Sequence, residues 1–135
     1  MNGTSPEQFA RWVDLFEFAY NLELRDMFIR EAQAFLRRLA LDLGLAPGTC
    51  SFGVDRGGIG SSGEVTLRHD RFLIRLNADL RSPEGKRIIW RACAGREDSN
   101  GGPENTVYYH DLWGDGYQRF VARLQRVSNG ERLAA

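Results

Sequence analysis

Residues 64–77 read EVTLRHDRFLIRLN. Apolar and polar side chains alternate through both halves of this stretch, as they do in strands with one buried face. The halves, EVTLR and RFLIRLN, are joined at His69-Asp70. Setting Arg68 opposite Arg71 brings Leu67 against Phe72 and Val65 against Ile74 on one face. The same register sets Glu64 against Arg75 on the other, so apolar and charged pairs both come out matched. The expectation is an antiparallel hairpin whose apolar face needs a covering layer.

Working outward, Cys50, Phe52 and Val54 alternate and predict another strand, followed by a Gly/Ser loop. Downstream, Ser82-Pro83-Glu84-Gly85 reads as a helix cap followed by proline. Ile88, Ile89, Ala92 and Cys93 then predict a short helix ending near Gly95. The run AGREDSNGGPEN, 94–105, connects it to a short edge strand over Thr106–Tyr109.

The covering layer comes from the two ends of the chain. Ser5-Pro6-Glu7-Gln8 is a capping box with proline at the first helical position. Phe9, Trp12, Val13, Phe16, Ala19 and Tyr20 follow at helical spacing, and Leu15, Phe18 and Leu22 widen the stripe. After a polar interval, Phe28, Ala32, Phe35, Leu36, Leu39 and Leu43 form a second stripe, closed by Gly44 and Pro47-Gly48. Two helices are favoured over one, because a single helix across both stripes is long for so small a domain. Trp113, Tyr117, Phe120, Val121, Leu124 and Val127 mark a last amphipathic helix ending at Asn129-Gly130. The predicted fold class is α+β in one domain, 1–135. It comprises an N-terminal helical hairpin (or one long helix), a small antiparallel sheet of three to four strands, a short middle helix and a C-terminal amphipathic helix.

The 135 residues suffice for a core without disulfides or metal. Basic and acidic residues number 18 each, so bulk charge gives no reason to expect non-specific nucleic-acid binding. Lys86 is the one lysine in an otherwise arginine-only basic set. The N-terminus lacks the basic and apolar regions of a signal peptide, and no stretch approaches a membrane span. The expected setting is cytoplasmic, with Cys50 and Cys93 reduced.

Candidate chemistry is sparse. Gly58-Ile59-Gly60-Ser61-Ser62-Gly63-Glu64-Val65 matches the spacing of a kinase glycine-rich loop, but the lysine strand, H-R-D and D-F-G are absent. The plain reading is a hairpin loop. Cys50, His69, Cys93 and His110 fit no zinc-ligand spacing, and neither metal nor cofactor is expected. No catalytic residue stands out. A ligand or anion site near the 96–111 loop would draw on Arg91, Arg96, Asp98, His110 and Asp111. Phosphate or acidic-partner contacts would draw on Arg68 and Arg71 at the hairpin tip and on Arg119, Arg123 and Arg126, a ridge on the last helix. The aromatic N-terminal helix, with Phe9, Trp12, Phe16, Phe18 and Tyr20, is apolar around much of its girth. Such a helix is either deeply buried or meets a partner.

The run from Ile88 to Gly102 resembles short bacterial and mobile-element proteins with an Arg-x-Asp…Gly-Gly segment after a helix, a resemblance that implies no activity. The leading expectation is a protein that acts by binding another protein, with a homodimer as the simplest case. A phage-type inhibitor, such as an anti-CRISPR protein, is one instance. The alternatives are an enzyme or small-ligand protein with its site at the 96–111 loop, and a nucleic-acid-binding accessory protein using the arginine ridge. A membrane partner is not expected.

Overall fold

The structure, a computed structural model, describes residues 5–14, 22–57, 63–78, 86–93 and 104–129. The fold is α+β. Helices α1 (Pro6–Asp14) and α2 (Leu22–Asp42) precede strands β1 (Cys50–Asp55), β2 (Glu64–His69), β3 (Phe72–Asn77), β4 (Arg87–Ala92) and β5 (Asn105–Tyr108). A short 3-10 helix, Tyr109–Leu112, leads into α3 (Gly116–Ser128). The strands form one antiparallel sheet in chain order, β1-β2-β3-β4-β5.

The capping box forms as expected. The Gln8 amide donates to Ser5 Oγ at 3.1 Å, and the Ser5 amide donates to Gln8 Oε1 at 2.8 Å. Phe9 stacks on Phe35 with ring centroids 4.9 Å apart. In one straight helix those residues would lie roughly 39 Å apart, so α1 and α2 are separate helices packed on each other. Helix α2 stops at Gly44, whose φ of 71° most side chains resist. The Gly44 amide bonds Leu41 O and the Leu45 amide bonds Ala40 O, which together satisfy the last carbonyls in a Schellman turn.

The hairpin stands, with a register two residues from the expected one. Leu67 pairs with Ile74, Val65 with Leu76 and Arg68 with Leu73, so Arg68 does not face Arg71. The turn is Asp70-Arg71 rather than His69-Asp70. His69 extends β2, stacks on Phe72 at 5.0 Å, and accepts from the Arg71 amide through Nδ1 at 3.1 Å. A shift of two preserves which face each side chain occupies, so the apolar face is unchanged. Glu64 still reaches Arg75 diagonally, at 4.0 Å.

The expected middle helix is a strand. Ile88 and Trp90 are buried while Arg87, Ile89 and Arg91 alternate with them, and β4 pairs along β3. The stretch RIIWRA is β-branched and aromatic, which suits a pleated surface better than a helix. The sheet accordingly has five strands, not three or four.

One core joins the layers. Phe9, Phe28, Phe35, Leu36 and Leu39 from α1 and α2 meet Val65, Leu67, Phe72, Ile74, Leu76, Ile88 and Trp90 from the sheet. Tyr117, Phe120, Val121, Leu124 and Val127 close it from α3. The three described α-helices therefore cover the same face of the sheet.

Candidate protein-interaction edge

The helical layer ends before the sheet does. Helix α2 packs over β2, and β1 overhangs it. On β1 the side chains of Cys50, Phe52 and Val54 pair with His69, Leu67 and Val65, so they lie on the core-facing side. Cys50 reaches the core, but Phe52 is 42 % exposed and Val54 38 % exposed. The opposite side of β1 carries Ser51, Gly53 and Asp55. Among the described residues β1 has β2 as its one strand neighbour, so half its backbone donors and acceptors face outward. Asp55 accepts from the Gly57 amide at 2.9 Å, which closes the strand's end on itself. Cys50–Asp55 holds no proline or lysine, the usual devices against strand addition, and the nearest charge on the core-facing side is Arg56, just past the strand and 4.0 Å from Asp26 of α2.

The far edge is built differently. β5 is four residues long. The Tyr109 amide bonds back to Lys86 O, so the Tyr108 amide points outward, and Asp111 Oδ2 accepts from it at 3.2 Å. The 3-10 helix then folds under. Tyr109 is fully buried edge-on to Phe9, at 5.8 Å between centroids. Glu7 accepts from the Gly114 amide at 2.5 Å, Lys86 Nζ donates to Asp14 O at 2.9 Å, and Arg11 lies 4.3 Å over the Trp113 ring. Helix α1 thus straps this end of the sheet.

His110 and Asp111 meet at the strapped end. His110 Nε2 is 3.4 Å from Asp111 Oδ1, its Nδ1 is 3.9 Å from Asp14 Oδ1, and its ring stacks on Tyr108 at 5.5 Å. Arg91 is not with them. Tyr108 pairs with Arg87, and Arg91 lies four residues further along β4, roughly 13 Å away. Arg91 flanks Leu73 on the open face, with Arg68 on the other side. Leu73 is only 7 % exposed there, between two arginine stems. Arg96 and Asp98 fall outside the described residues.

The arginine candidates do not share a surface. Arg119, Arg123 and Arg126 are exposed on α3, on the helical side of the sheet. Arg119 pairs with Asp115 at 2.7 Å, and the Arg123 guanidinium lies 5.2 Å over the Trp90 ring. Arg68 projects from the opposite side, and Arg71 sits in the turn beside it. Of the aromatic candidates, Phe9 is 2 % exposed and is core, and Trp12 packs partly buried against it. Their helix is apolar because it lies between α2, Tyr109 and Trp113. Phe16, Phe18 and Tyr20 fall outside the described residues.

No protein-family model, curated protein or solved structure matches this chain. Sequence reading identified β1 as a strand but not as the open edge. Edge position depends on where α2 stops and on which strand has one neighbour, and neither is a local property of CSFGVD.

Proposed function

We propose that this protein acts by binding another polypeptide along the outer edge of β1. The observation that carries the reading is the overhang of β1, which, among the described residues, joins an outward row of backbone groups to the exposed side chains of Phe52 and Val54. An extended strand laid against such an edge gains main-chain hydrogen bonds, and alternate side chains supply selectivity. Phe52 and Val54 are the anchors, since both point to the side where the helical layer leaves room.

The test is affinity purification from cells with the chain as bait, alongside a Phe52→Lys/Val54→Lys variant. Partners retained by the parent chain and lost by the variant support the reading. Partners retained equally by both would place the interaction elsewhere.

A further inference from the structure

We infer that the polypeptide received by β1 is a second copy of this chain, paired antiparallel about a two-fold axis through Gly53. The inference rests on the edge-binding reading above and specifies its occupant.

The register follows from the pleat. For two copies to form one continuous sheet with both helical layers on the same side, residues directly opposite must share a face. Pairing about Gly53 meets this condition and sets Phe52 against the partner's Val54, and Val54 against the partner's Phe52. The exposed apolar side chains of both edges then form one cluster in the gap between the helical layers. Ser51 faces the partner's Asp55, and Gly53 faces the partner's Gly53 on the open side. Like charges stay apart, because each Asp55 lies roughly 13 Å along the strand from the partner's Asp55. Centring the axis on Asp55 would oppose those two carboxylates, and centring it on Val54 would set Arg56 against the partner's exposed Phe52. About Gly53, by contrast, Arg56 meets the partner's Cys50 at the very end of the ladder, and the Phe52 and Val54 cluster stays apolar.

A second copy also fits better than a foreign strand. An incoming strand must bring an uncovered edge and an apolar underside on the matching side. This chain's own β1 brings both in complementary order. Pairing about a two-fold axis uses both open edges and leaves the two β5 edges outermost. Those carry the Asp111 cap, so the assembly closes at two copies.

The test co-expresses two differently tagged copies, captures one tag, and measures the mass of the untagged protein by light scattering. The parent chain should capture its second copy and have a dimer mass. Phe52→Lys/Val54→Lys should lose both while keeping its circular dichroism spectrum. If that variant fails to fold, Ser51→Cys/Asp55→Cys in a Cys50→Ala background decides. Oxidation should then crosslink two chains, because the two introduced cysteines within one chain are too far apart to bridge and the remaining one, Cys93, is buried. No crosslink would overturn the register. A parent chain that is monomeric at every concentration overturns self-pairing. If it also retains a different protein in a Phe52- and Val54-dependent way, edge binding stands without self-pairing. A dimer indifferent to the lysines overturns self-pairing through β1.

Discussion

The two edges of the sheet contrast in how they are finished. β5 is short, capped by a carboxylate and strapped by α1 through Phe9, Glu7 and the Lys86–Asp14 contact. β1 is longer, overhangs α2 and leaves Phe52 and Val54 in contact with solvent. Both come from one antiparallel meander, so the difference lies in what the helices cover. Substitutions in the α1 strap should therefore act on folding, and substitutions on the β1 edge or at the Asp111 cap on association.

The largest effect should come from the strap. Phe9 contacts Phe28, Phe35 and Tyr109, so Phe9→Ala leaves a cavity where α1, α2 and the 3-10 helix meet. Chemical denaturation should show a loss of about 3–5 kcal/mol. A loss below 1 kcal/mol would mean that α1 does not secure that end.

Alkaline titration comes next. Burial holds the Tyr109 hydroxyl protonated well above its ordinary value of 10.0. Burial, and then the hydrogen bond to Asp42 at 2.6 Å, raises Tyr117 in the same direction. A raised folded-state value means that the folded chain keeps a proton which the unfolded chain releases. Stability is thus fully present below pH 10.0 and falls as pH rises above it. Tyr109 alone should contribute a slope of about 1.4 kcal/mol per pH unit. Tyr109→Phe should remove that part. Among the described residues its hydroxyl finds no hydrogen-bond partner, so the substitution should cost little at neutral pH. A large neutral-pH loss would show that the hydroxyl is satisfied.

Asp111→Ala should cost about 1 kcal/mol or less, since the Tyr108 amide lies near water. Its sharper consequence is to unguard the second edge. Light scattering should then detect assemblies larger than those of the parent chain, and unchanged masses would show that β5 is protected by its length alone. Smallest in stability is Phe52→Lys, within about 0.5 kcal/mol of the parent when both are unfolded at concentrations dilute enough for the parent to be monomeric. A larger loss would mean that Phe52 is part of the core rather than an anchor for a partner.

Much of the fold was legible where local pattern and tertiary contact agree. The capping box, the α2 stripe, Gly44, the hairpin and the α3 stripe all follow from side-chain period and cap chemistry. The hairpin register was missed by two residues because pairing energies on a strand repeat every second residue. The turn was decided by His69, which bonds the Arg71 amide. β4 was misread because Ile88, Ile89, Ala92 and Cys93 also fit helical spacing. The β3 edge, available in space but not in sequence, settled it. The aromatic excess near the N-terminus pointed to an interface, yet Phe9 became core because Tyr109, a hundred residues away, packs on it. Phe52 and Val54 were seen as strand residues, but their exposure depends on where α2 ends its cover.

Amide hydrogen exchange, followed residue by residue from dilute to concentrated protein, tests the contrast between the edges most directly. The outward amides of β1 should gain protection as concentration rises, while the Tyr108 amide keeps the same rate throughout. β1 amides that exchange equally fast at every concentration would contradict pairing of this edge with a second copy.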